Sequence, residues 1–382
     1  MGDRPDFTFA VFGDVPPENR SCMAGVTRVL PLLRNLGVQA VLAGAGAEWR
    51  IVRIADDAGF DLGRAVVSAF EGMNRPPLEL LDENGIPFLL CNTKELKDED
   101  WRQFAKSAHF AALKRAKVFF YAQQIHPCGT LAGDFLPMQD MGISTAALGG
   151  MHNCVAFSSG ALAPLADERS IRQGGFGFTS VATSSFRYPA LFPGRVMFPE
   201  LDKPPLNRPS LVVSVFGDRV VFARMALASG ERLGPDWTMP FGDYGALSYE
   251  RRAKTAKVPQ FTPGARPEIS FREGGTGGGT VNVTFPRAQG ADGSRAFDYE
   301  VTVHSMEGGV DAIVLQKRVY SPGLFLPPGK EPPKVTCPFV RNELYYDLPL
   351  IFEVRALNCF GAKGEPIFAK RTVKTKRTEG RS

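Results

Sequence analysis

The sequence predicts an α/β unit followed by a smaller all-β sandwich. Over residues 7–127, short apolar runs alternate with amphipathic stretches of helical period. Beyond the proline-containing stretch 251–268, only strand-like segments remain, separated by Gly- and Pro-rich turns. At 382 residues the chain also exceeds one typical domain. The expected division is 1–250 for the α/β unit, 251–265 for a linker, 266–375 for the β-sandwich and 376–382 for a basic tail.

The elements follow in order. "FTFAVFGD" (7–14) reads as a buried strand, "GVTRVLPLLRNLG" (25–37) as a helix closed by Gly37, and "VQAVLAGAG" (38–46) as a second strand. "DLGRAVVSAF" (61–70) carries a helical stripe, and "GIPFLLCN" (85–92) reads as a strand. "KDEDWRQFAKSAHFAALKRA" (97–116) reads as one long helix, with acids in its first turn and bases in its last. "KVFFYAQQIHP" (117–127) is a strand closed by proline, and "VAFSS" (155–159) is another. After it the helices give out. "FTSVATSSFRY" reads as antiparallel strand, and "SLVVSVFGDRVVFARMAL" as a hairpin through Gly217-Asp218. "GGTVNVTFPRA", "FDYEVTVHSM", "AIVLQKRVYS" and "LIFEVRALNCFG" supply the strands of the sandwich, and "GGTGGG" lacks the spacing of a phosphate loop.

Composition excludes several function classes. The net charge of +5 on 45 basic and 40 acidic residues is concentrated at the C-terminus, in "AKRTVKTKRTEGRS", without interleaved aromatics, which argues against a nucleic-acid surface. No run of about 18 apolar residues is present, so no membrane-spanning helix is expected. Cys22, Cys91, Cys128, Cys154, Cys337 and Cys359 form no C-x-x-C pair and read as reduced thiols. With no signal peptide visible after Met1, the expected location is the cytoplasm.

Parallel strands present their C-terminal ends to a ligand crevice. The segments at those ends are "FGDVPPE" (12–18), "AGAGA" (43–47), "CNTKE" (91–95), "QQIHPCG" (123–129) and "SSGALAP" (158–164). In this order they resemble the signature turns of the calcineurin-like metallophosphoesterases: Asp-x-His, Gly-Asp, Gly-Asn-His-Asp, a single His, and Gly-His-x-His. Over 117–188 the resemblance is specific to one bacterial branch, through "QQIHPCGT", "ISTAAL" and "FSSGALAPLADERSIRQGG". It implies a layered α/β sandwich with a two-metal centre. The all-β segment similarly resembles a fibronectin type III module, which binds or braces.

Against that implied centre, the ligand positions are largely replaced. Asp14 keeps a carboxylate, but Pro16 stands for its partner histidine and Ala45 for the bridging aspartate. Asn92 is followed by Thr93 where a histidine would be, Gln124 replaces the strand-end histidine, and Gly160 and Leu162 replace the last two. Asp14, Asn92, Gln124 and His126 are the residual polar groups. A two-metal site needs carboxylate and imidazole donors, with a bridge holding the ions about 3.5–4 Å apart.

Each survivor also has a plain structural reading. Asp14 could form the turn before two prolines. His126 could pack locally, and Cys128 beside it is poorly placed for a Cys/His pair, because neighbouring side chains near a strand end diverge. His109, His152 and His304 have no second donor at ligand spacing. Asp167, Glu168 and Arg169 read as a solvated turn. The expected function is therefore a binding or regulatory pseudoenzyme that needs no cofactor and acts on an unknown ligand or protein partner. The alternatives are a phosphoric ester hydrolase with an atypical or single-metal site using Mn, Fe or Zn, and a purely structural two-domain protein.

Overall fold

The computed structural model describes residues 4–13, 20–43, 66–68, 76–91, 96–123, 146–158, 164–174, 176–184, 209–272, 279–305, 311–324, 326, 329–344 and 348–373. Its contacts fall into two units, one holding Met1–Leu191, Leu201–Thr255 and Phe325–Gly329, the other the remaining segments. The fold is mixed α/β with few helices and many strands.

In the first unit, β1 (Phe7–Phe12) leads into α1 (Arg20–Asn35), followed by β2 (Ala40–Ala43) and β3 (Val66–Ser68). β1, β2 and β3 are parallel. Further along the chain, β10 (Pro209–Val215) and β11 (Arg219–Ala226) form the hairpin expected at Gly217-Asp218, and β10 pairs antiparallel with β1. β12 (Glu231–Arg232) and β13 (Trp237–Pro240) both pair with β11, completing a seven-stranded sheet.

The second sheet holds β4 (Leu78–Glu83), β5 (Ile86–Cys91), β6 (Phe119–Gln123), β7 (Cys154–Ser158), β8 (Ile171–Gln173) and β9 (Thr179–Ala182), in the order β4-β5-β6-β7-β9-β8. β5, β6, β7 and β9 are mutually parallel. Two helices, α2 (Asp98–Ala105) and α3 (Ala108–Arg115), connect β5 to β6.

Period-2 alternation stacks these layers. In β1, Phe7, Phe9 and Val11 face a core shared with the second sheet, while Ala10 and Phe12 face Val26, Val29, Leu30 and Leu33 of α1. The shared core is built on aromatic rings. Phe9 lies 4.8 Å from Phe120 and 5.1 Å from Phe88, edge to face. On the far side of the second sheet, Cys91, Tyr121, Cys154 and Ala156 meet Trp101, Phe110 and Leu113 of α2 and α3. The layers therefore run helix, sheet, sheet, helix.

Several local expectations are corrected. The segment 61–70, expected to be helical, places Val66–Ser68 in strand β3, where they pair with β2. The single helix expected over 97–116 is two. The Ser107 hydroxyl accepts from Phe110 N at 3.2 Å and donates to the Phe104 carbonyl at 2.7 Å, so it ends one helix and caps the next. α1 begins before the expected Gly25 and contains Pro31. β9 pairs antiparallel with β8 as expected, but pairs parallel with β7. Tyr249–Thr255 form helix α4.

The second unit is a sandwich of a three-stranded and a four-stranded sheet. The first holds β14 (Glu268–Arg272), β15 (Thr280–Pro286) and β18 (Lys334–Val340). The second holds β16 (Asp298–Ser305), β17 (Ala312–Tyr320), β19 (Pro349–Leu357) and β20 (Ile367–Thr372). Val281, Val283 and Phe285 on one sheet pack against Tyr299, Val301, Val303, Phe352 and Val354 on the other. Among the described residues, no helix is long and apolar enough to cross a membrane.

Candidate functional site

The parallel strands bring their C-terminal ends together at one edge of the first unit. The ends of β1 and β9 touch: a Cβ built on Gly13 would lie 1.8 Å from the Ser184 carbonyl oxygen and 2.8 Å from that of Thr183. Only glycine lets the backbones approach this closely. Ser184 holds φ at +66, a left-handed conformation uncommon for a residue with a side chain. Beside it, Thr183 N and Oγ1 both donate to the Ser158 carbonyl, at 3.0 and 2.8 Å, tying the loop after β9 to the last residue of β7.

The described side chains here are small and neutral. The hydroxyls of Ser158 and Ser184 are buried and find no hydrogen-bond partner among the described residues. The thiol of Cys91, last residue of β5, is pushed up to about 11 by burial, partly offset by a hydrogen bond with Tyr121. It is protonated at neutral pH and packs toward the outer helices. Among the described residues, no three His, Cys, Asp or Glu side chains converge as a metal cage.

The described side chains at these strand ends do not by themselves make a two-metal centre. Neutral hydroxyls and a protonated thiol supply neither the negative charge nor the imidazole nitrogens that paired transition-metal ions require.

Chain continuity links the expected site residues to these ends. Asp14 directly follows Gly13, Asn92 follows Cys91, Gln124 follows Gln123, and Ala45 and Gly160 each come two residues after the ends of β2 and β7. Asp14, Pro16, Ala45, Asn92, Thr93, Gln124, His126, Gly160 and Leu162 themselves lie outside the described residues. Sequence reasoning passed over Ser158, Thr183 and Ser184. Their only signal was that each sits where an apolar strand runs out.

The "DERSI" segment is not the solvated turn expected. Asp167 is fully buried, accepts from Arg169 N at 2.9 Å and pairs with the Arg169 guanidinium at 3.0 Å. Glu168 accepts from Arg224 at 2.6 Å and from the Trp237 indole N–H at 2.8 Å. Arg252 of α4 donates to the Glu168 carboxylate at 3.4 Å and to the carbonyls of Glu168 and Ile171.

Arg224 has no exposed surface. It also donates to the carbonyls of Pro235 and Leu165 and lies 4.6 Å over the Trp237 ring. The Tyr249 hydroxyl donates to the Arg169 carbonyl at 2.6 Å, and burial, reinforced by the Asp167 charge, raises its pKa well above the ordinary phenol value. The segment is thus a clasp joining the second sheet to β11, β13 and α4.

No family model matches the chain, and no curated protein matches it. Among solved structures, a dimetal phosphatase from Danio rerio aligns with 63% of this chain and all of its own, at 11% identity and a TM-score of 0.40. A predicted phosphoesterase from Streptococcus pneumoniae aligns with 61% of this chain and 97% of its own, at 12% identity and a TM-score of 0.30. The PKD domain of an M14-like peptidase from a Thermoplasmatales archaeon aligns with 31% of this chain and all of its own, at 12% identity and a TM-score of 0.18. Likeness at this level does not define a family.

Proposed function

We propose that residues 1–250 are a calcineurin-like phosphoesterase scaffold whose metal ligands have been replaced, and that the protein works by binding, as a pseudoenzyme. The observation that carries this reading is the chemistry of the strand ends. Where ends from both sheets meet, the chain supplies Gly13, Ser158, Thr183 and Ser184, and the sequence just beyond the ends of β2 and β7 reads Gly44-Ala45, Gly160 and Leu162. The layered arrangement and the "FSSGALAPLADERSI" stretch support the scaffold. Asp14, Asn92, Gln124 and His126 are read as remnants. The C-terminal sandwich is read as a fibronectin type III-like module that braces or extends the binding surface.

Metal analysis and thermal denaturation of the full chain test this. A metal bound only by the folded state at a hundredfold its dissociation constant would stabilise it by about 2.7 kcal/mol. For a unit of this size that is roughly 5–10 °C. The expected result is less than stoichiometric Mn, Fe or Zn after purification, and a melting temperature indifferent to EDTA and to millimolar Mn²⁺. Bis(p-nitrophenyl) phosphate should not be turned over. A metal-dependent rise of several degrees, or hydrolysis abolished by Asp14→Ala, would overturn the reading in favour of an active esterase with an atypical site.

A further inference from the structure

At the opposite edge of the first unit, where β6 and β7 begin, lies a cleft of about 760 Å³. That is within the roughly 300–1,000 Å³ range of small-molecule sites. Elements of both sheets form its walls. Lys114 and Lys117 come from the end of α3 and the entry to β6, His152 from the turn before β7, the Gly217-Asp218 turn from the β10–β11 hairpin, and Phe241 and Tyr244 from the loop after β13.

Three features give the cleft a chemical character. First, His152 and Tyr244 stack with ring centroids 4.4 Å apart and planes 25° from parallel, and Tyr244 keeps 47% of its surface exposed, so the stacked pair presents an aromatic surface to solvent. Second, two lysines line it. The Lys117 ammonium donates to the Gly217 carbonyl at 3.3 Å, and the Lys114 ammonium lies 4.9 Å over the Phe110 ring at the end of α3, which Asn153 closes by donating to the Leu113 and Ala116 carbonyls at 2.8 and 2.7 Å. An ammonium has three N–H donors, so others remain for a ligand. Asp218 does not cancel this charge, because Arg219 holds its carboxylate at 2.7 Å. Third, the wall is open where the chain is bare: a Cβ added at Gly150 or Gly217 would meet nothing within 4 Å.

We propose that this cleft binds a nucleoside monophosphate, with the base stacked on the His152–Tyr244 pair and the phosphate at the Lys114 and Lys117 ammonium groups. Every base offers a π-face to an aromatic ring, and two cations beside it favour a ring that carries an anion over a neutral nucleoside. The inference does not depend on the pseudoenzyme reading, which concerns the other ends of the strands.

Calorimetric titration of the full chain with AMP, adenosine and inorganic phosphate tests it. AMP is expected to bind at least about tenfold more tightly than either fragment. Tyr244→Ala should weaken AMP by about fivefold or more, and Tyr244→Phe should restore it, because stacking and not the hydroxyl is used. A Lys114→Gln/Lys117→Gln double variant should bring AMP down to the level of adenosine. All these positions are at the surface, so the melting temperature of each variant should match the parent. AMP binding no tighter than phosphate, or indifferent to Tyr244→Ala at unchanged melting temperature, would overturn the proposal.

Discussion

Replacing Glu168 with leucine removes the carboxylate that joins Arg224, Trp237 and Arg252. Arg224 is wholly buried and would keep only carbonyl acceptors. Asp236 lies close enough to interact with it but is already engaged by Arg232 at 2.8 Å. Stranding a buried charge costs about 3–5 kcal/mol, and the lower end applies here because the carbonyls remain. The orphaned indole N–H adds about 1 kcal/mol. A total near 4 kcal/mol corresponds to a fall of roughly 8–16 °C in melting temperature.

Tryptophan fluorescence is a suitable probe, since Trp101 and Trp237 belong to the first unit and Trp237 donates directly to Glu168. Arg224→Met combined with Glu168→Leu should be more stable than the sum of the single effects by about 1 kcal/mol or more, because neither charge is then left unpaired. A loss below about 1 kcal/mol for Glu168→Leu, or additivity within about 0.5 kcal/mol in the pair, would refute the clasp as described.

Two further outcomes concern stability. Gly13→Ala should cost at least about 1–3 kcal/mol or prevent folding, since its Cβ would fall 1.8 Å from the Ser184 backbone, whereas Gly217→Ala, with open space at its Cβ, should be nearly neutral. Denaturation of the two variants side by side gives the comparison. Burial raises the Cys91 thiol from 9.0 to about 11, so its contribution is full below pH 9 and is lost as pH rises toward 11. By pH 10 it amounts to about 1.4 kcal/mol. Urea midpoints at pH 7.5 and pH 10 should therefore fall less for Cys91→Ala than for the parent, and equal falls would contradict the assignment.

Much of the layout was legible in the chain, because it is local. The alternation in "FTFAVF" and "IPFLLC", the helical stripe of α1, the Gly217-Asp218 turn and the change of pattern after residue 268 each reflect a period set by backbone geometry. Within segment 61–70, Val66–Ser68 departed from the helix expected for a related reason: a short apolar stripe suits a helix or a strand, and pairing with β2 chose strand. The long helix failed because one hydroxyl, Ser107, competes with the helical backbone more strongly than the surrounding periodicity suggests.

The chain by itself determined what chemistry the described strand ends could offer, because the presence of Gly13, Ser158, Thr183 and Ser184 there is a matter of residue identity. Only the tertiary structure decided how the charged residues are spent. Nothing local in "ADERSI" shows that Glu168 will meet an arginine 56 residues away on β11, nor that Asp167 will be buried. Nor does any window of sequence place His152 on Tyr244 or Lys117 at Gly217, pairs that form where one sheet packs on the other. A period records which face of a segment turns inward. Which distant segment comes to cover that face depends on how the two sheets stack.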